Sequence, residues 1–146
     1  MRRRSGLVLL MATLSLLLPH GVHAGNRCAG TGESVLAKVK SWADLHKWFK
    51  DHADCDDGDL VDDVAEYVTS SLARDWKDLP QLEAEIRKEP RFKEFVLHHI
   101  DTIAPIADLK AVKRNAERRC PADSGPLCAE VAAAAQSALD GIRQEQ

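Results

Sequence analysis

Apolar positions in this chain recur at helical rather than strand spacing along most of its length. Between Thr31 and Asp54 the series Val35, Val39, Trp42, His46 and Phe49 advances in steps of three and four, which places these residues on one helix face. Ser41-Trp42-Ala43-Asp44 has the form of a capping box with Asp where Glu is usual, so the regular helix is expected to begin at Ser41. Leu60, Val61, Val64, Ala65, Val68 and Leu72 make a second stripe that runs to about Trp76. Asp56, Asp57 and Asp59 precede it, where a helix start favours negative charge. Leu79, Leu82 and Ile86 repeat helically up to Lys88. Glu89-Pro90 then breaks the pattern, because proline disfavours a helical residue before it.

Pro90 is expected to open a helix with Phe92, Phe95, Val96, His99 and Ile103 on one side. Pro105 opens another with Ile106, Leu109, Val112 and Ala116 inward, ended by Cys120-Pro121. Ser124-Gly125-Pro126 opens the last, with Leu127, Cys128, Val131, Ala135, Ala138, Leu139 and Ile142 in register and an alanine run that favours helix intrinsically. No stretch alternates over enough residues to make a strand. The pattern predicts an all-α protein, a compact bundle of five or six short helices joined by tight proline or glycine turns and held by two disulfides.

The beginning of the chain is patterned differently. Met1 is followed by Arg2, Arg3 and Arg4, an apolar run from Leu7 to Leu18, Pro19, and Val22-His23-Ala24. That is the order of a secretory signal peptide, and cleavage is expected after Ala24. The apolar run counts 12 residues, short of the roughly 20 needed to span a bilayer. Arg27 directly before Cys28 is unlike a lipoprotein signal. The expected organisation is a signal peptide over residues 1–24 and one helical domain over 25–146, periplasmic or secreted, with no membrane span after cleavage.

Composition then narrows the partners. Losing Arg2, Arg3 and Arg4 moves the formal charge from −3 to −6. Such an acidic domain, with one Tyr and no basic-aromatic interleaving, is repelled by phosphate backbones, so nucleic acid is not an expected partner. All four cysteines, Cys28, Cys55, Cys120 and Cys128, follow the cleavage site, which in an exported chain argues for two disulfides. The absence of Cys-x-x-Cys removes the zinc-ribbon, thioredoxin-like and covalent-haem spacings. Cys120 closes one helix and Cys128 sits in the first turn of the next, so that pair staples a helix corner. Cys28–Cys55 is left over and requires the chain before Ser41 to fold back, since an unbroken helix from Thr31 to Asp54 holds the two too far apart. If that helix is unbroken, crossed pairings become the better candidates.

The densest charge feature runs from Asp51 to Glu66 and contains Asp54, Asp56, Asp57, Asp59, Asp62 and Asp63 with no Lys or Arg. An EF-hand loop centred on Gly58 would need ligands at Ala53, Cys55 and Val64, none of which carries a carboxylate. Three readings remain: a looser calcium site, helix capping with a solvated acidic face, or a landing surface for a basic partner. The opposite patch, Lys110, Lys113, Arg114, Arg118 and Arg119, is offset only by Glu117. It is expected to offset the helix dipole and bridge to the acidic segment, with self-association or contact with an anionic envelope as the sharper reading.

His98-His99-Ile100-Asp101 alone has a catalytic or metal look. His99 shares the apolar stripe and is expected as a hydrogen-bonded core histidine, while His98 and Asp101 face outward together. Two ligands do not make a zinc site, and a third would have to come from His46 or His52. No nucleophile elbow, metalloprotease helix or phosphate-binding glycine loop occurs, so no catalytic residue, resident metal or cofactor is expected. Trp48 lies off the inward stripe, either exposed as part of an interface or covered by a second helix.

Ser41-Trp42-x-Asp44-Leu45, Cys55-Asp56-Asp57-Gly58, Phe95-Val96-Leu97-x-His99-Ile100-Asp101, Arg119-Cys120-Pro121 and Leu127-Cys128 together resemble a family of short exported helical proteins of Gram-negative bacteria that brings no assigned chemistry. In architecture the chain is also similar to small periplasmic immunity proteins, which neutralise cell-wall-degrading effectors of rival bacteria. The expected function is a periplasmic, non-enzymatic protein-binding module of immunity or inhibitor type, meeting a basic surface through the acidic segment. A metal-binding protein using His98, Asp101 and the aspartates is the alternative, and a structural envelope protein the third.

Overall fold

The computed structural model describes residues 37–55 and 59–145, with the side chains of Asp54 and Asp59 left aside. Six α-helices account for most of these residues, and no strand occurs among them. In chain order they are α1 (Trp42–His52), α2 (Asp59–Arg74), α3 (Leu79–Lys88), α4 (Arg91–His98), α5 (Ile106–Arg118) and α6 (Gly125–Gln144). Short 3₁₀ turns at Ala53–Cys55, Trp76–Asp78 and Ala122–Ser124 fill three of the junctions.

The helix starts follow local chemistry. Ser41 is extended and its Oγ accepts from Asp44 N–H at 3.1 Å, while Asp44 Oδ2 accepts from Lys40 N–H at 3.2 Å and from Ser41 Oγ at 2.8 Å. This is the expected capping box with Asp reaching back in place of Glu. The helix therefore begins at Trp42, and residues 37–40 are not helical. Pro80 and Pro126 lie in the first turns of α3 and α6, where a missing N–H leaves no bond unmade. Pro90 sits directly before α4 and forces Glu89 into an extended conformation (φ −145°, ψ 102°), which ends α3.

The core is one continuous cluster. At one end Trp42, Trp48, Phe49, Phe92 and Phe95 interlock, with Phe49 and Phe95 centroids 4.9 Å apart. At the other, Leu72, Leu109, Val112 and Val131 fill the contact of α5 with α2 and α6. Asn115 is buried on α5 and its Nδ2 donates to the carbonyls of Leu72 at 3.1 Å and Ala73 at 3.0 Å. Those carbonyls belong to the last turn of α2, which would otherwise lack partners. Trp76 Nε1 donates to the carbonyl of Arg119 at 2.8 Å, so the ends of α2 and α5 are fastened twice.

Cys120 and Cys128 form a disulfide with Cα atoms 6.0 Å apart, stapling the α5–α6 corner as the layout predicted. Cys55 is buried at the end of the turn after α1; Cys28 lies outside the described residues.

One open reading is decided and two expectations need correction. Trp48 is 3% exposed, because Phe95 and His52 pack against it. Ile103 and Ile106 were expected inward and are 52% and 41% exposed. Helix α4 stops at His98, so the turn that follows rotates Ile103 off the buried stripe, and α5 starts with Ile106 on its outer side.

Candidate functional site

The acidic segment is built on the first turns of α2. Leu60, Val64, Val68 and Leu72 repeat every four residues and are buried, which leaves the opposite face of the helix to solvent. Asp62 and Glu66 are exposed on that face and Asp63 is half-buried beside them. Spacings of three and four place the three carboxylates in one group. None of them makes an ion pair or hydrogen bond among the described residues, and neither does Asp51, exposed at the end of α1. Of the other predicted contact residues, Asp56 and Asp57 lie outside the described residues. Asp54 and Asp59 are described in backbone only, in the 3₁₀ turn and at the start of α2.

On α1 and the chain before it, a shallow trough of about 220 Å³ is lined by Lys38, Lys47, Trp48, Asp51 and His52. His52 stacks on Trp48 with centroids 5.5 Å apart, and its Nδ1 lies 3.1 Å from the Trp48 carbonyl oxygen.

Among the described residues, the basic patch does not bridge to the acidic segment. Lys113 pairs with Glu117 at 2.6 Å, and Arg119 donates to Asn115 Oδ1. Lys110, Arg114 and Arg118 have no ion-pair partner among the described residues. Spaced four apart along α5, they form a ridge facing water, so helix-dipole compensation accounts for them only in part.

The histidine cluster separates as expected in one respect. His99 is fully buried with Nδ1 2.8 Å from the Phe95 carbonyl oxygen, a core histidine. His98 is exposed, and the Asp101 carboxylate accepts from the Ile103 N–H at 2.9 Å. Among the described residues, no group of three or more His, Cys, Asp and Glu side chains converges to hold a metal ion.

One charged group was not anticipated. His46, buried on α1, places Nδ1 2.7 Å from Glu85 Oε2 on α3, with Nε2 3.6 Å from Glu89 Oε2. Lys88 Nζ holds the other Glu85 oxygen at 2.6 Å, and Arg91 holds Glu89. The hydrogen bond from Lys88, then that of His46, keeps the Glu85 carboxyl below its ordinary 4.5 against the opposing effect of burial. Glu89 is lowered chiefly by Arg91. The His46 ring lies 4.7 Å from Phe92. A histidine oriented by a carboxylate at Nδ1 keeps Nε2 to act as a base, but here Nε2 is itself buried and faces Glu89, and the His46–Glu85 bond links α1 to α3. The helical spacing placed His46 inward; the partner 39 residues away had no local signal.

Comparison with known protein families, characterised proteins and solved structures returns no match. Among the described residues no helix is long and apolar enough to cross a membrane.

Proposed function

We propose that this chain is an exported, non-enzymatic protein-binding module of immunity or inhibitor type, which meets a basic partner through the acidic face of α2 and the segment leading into it. The observation that carries the reading is that Asp62, Asp63 and Glu66 form one group of carboxylates with no cation against them among the described residues. A helix needs negative charge only in its first turn, whereas Glu66 stands two turns in, where dipole compensation has faded. Uncompensated charge of one sign steers a partner of the other and sets association rate more than affinity. The architectural likeness to periplasmic immunity proteins agrees with it. Cleavage after Ala24 and a second disulfide, Cys28–Cys55, belong to the same reading; with Cys120 and Cys128 bonded to each other, Cys28 and Cys55 are the two cysteines left to pair.

The test is affinity capture from periplasm with the exported chain at low and high salt. A basic protein retained at low salt is expected to be lost at high salt. The Asp62→Lys/Glu66→Lys variant, changed only at positions clear of the core, is expected to retain it at least tenfold more weakly. A partner held equally by wild type and variant would sink the assignment of this face.

A further inference from the structure

The second uncompensated surface lies on α5. Ile103 and Ile106 are the large apolar side chains most exposed among the described residues, three positions apart at the corner leading into this helix. The corner rests on the end of α6: a Cβ added at Gly141 would sit 2.9 Å from Thr102 Cγ2. Behind Ile106 a trough of about 370 Å³ continues the apolar surface over Leu139 and Ile142, with Lys110 and Arg143 at its edge. From there Lys110, Arg114 and Arg118 run along the exposed side of α5 for roughly 12 Å.

The nearby acids leave this ridge positive. Asp108 is taken by Arg74, Glu117 by Lys113 and Asp140 by Arg143, whereas the three ridge cations have no ion-pair partner among the described residues. Asp101 turns its carboxylate onto the Ile103 N–H, and Glu145, two residues past Arg143, is the remaining acid at the Ile106 end.

We propose that this face of α5, with the Ile103–Ile106 corner, is a docking surface for an anionic lipid bilayer. Aliphatic side chains beside a row of long cations suit the boundary between headgroups and acyl chains, where isoleucine enters and Lys and Arg stems lie along the apolar zone with their charges in the headgroups. A protein partner is usually anchored by aromatic groups. This face has none, since Trp42, Trp48 and Trp76 are all buried. Neither two isoleucines nor three cations hold a protein on a membrane alone, and the surface supplies both signals side by side. The net negative charge of the chain does not prevent this, because at physiological salt a charge acts over about 8 Å. The inference does not rest on the reading of the acidic face.

The test is cosedimentation of the exported chain, its N-terminus established by mass, with vesicles of phosphatidylglycerol and phosphatidylethanolamine and with vesicles of phosphatidylcholine. Binding to the anionic vesicles is expected at low salt, at least tenfold tighter than to phosphatidylcholine and weakened by added salt. Lys110→Glu/Arg114→Glu and, separately, Ile103→Ser/Ile106→Ser are each expected to reduce it at least fivefold while circular dichroism stays that of wild type. All four positions are exposed, so folding should survive these changes. Equal partitioning to both vesicle types, or variants that bind like wild type, would overturn the proposal. So would a chain that ignores both vesicles yet retains an acidic amphipathic peptide, an outcome that makes this face a protein-binding one.

Discussion

At the scale of single residues, the contrast between Ser41 and His46 shows what local sequence carries. The capping box is legible because its two members are three residues apart and bond only to each other and to the adjoining Lys40. His46 is legible only as inward-facing; its bond to Glu85 arises from the docking of α1 on α3. Trp48 stays open between exposure and cover in the sequence for the same reason, since its cover is supplied by Phe95, remote in the chain. The sign of the pH effect at Glu85 follows from its lowered pKa. A carboxyl with a folded pKa below its unfolded value adds stability above about pH 4.5 and loses it as pH falls through the folded value. Glu85→Gln is therefore expected to lower stability at neutral pH by about 1–2 kcal/mol, since the bonds to Lys88 and buried His46 weaken. Urea titrations from pH 7 to pH 3 should show that difference shrinking below pH 4.5; a constant difference would mean that the carboxylate charge is not involved.

At the scale of elements, prolines made the boundaries legible. Pro80, Pro90, Pro105 and Pro126 each stand at or just before a helix start, where fixed φ and a missing donor are harmless. The turn between α4 and α5 departs from the sequence pattern, because the helical period continues through Ile103 whereas the helix ends at His98. Nothing local announced the stop, which depends on how the turn settles against α6. That contact makes Gly141 informative. Alanine there improves helix propensity by about 1 kcal/mol, but its Cβ would press on the methyl of Thr102, a β-branched side chain with little room to rotate. Gly141→Ala is expected to destabilise by about 1 kcal/mol. Adding Thr102→Ser, which removes that methyl, should turn the same change stabilising. Thermal melts of the single and double variants give the coupling. Additive effects would mean the corner does not rest on α6.

At the scale of the whole molecule, the all-helical class was legible because periodicity accumulates over every segment, whereas the two uncompensated surfaces required knowing which charges found partners. The basic row was expected to bridge to the acids; among the described residues the nearby acids instead pair with other cations and both faces stay open. One continuous core, with the ends of α2 and α5 fastened by Asn115 and Trp76, argues for cooperative unfolding. Far-ultraviolet and near-ultraviolet circular dichroism are expected to melt together. Cys120→Ala/Cys128→Ala should lower stability by about 2.5 kcal/mol, the chain-entropy value for so short a loop, and keep a single transition. Two separated transitions would show that the aromatic and aliphatic ends fold apart.

The burial of all three indoles also gives the molecule its own optical instrumentation. Trp42 meets Tyr67 at the α1–α2 junction, Trp48 meets Phe95 between α1 and α4, and Trp76 bonds the Arg119 carbonyl where α2 and α5 end. Each fluorophore watches a different seam. A set of chains retaining one tryptophan apiece would report junction by junction which seam opens first, with no dye attached.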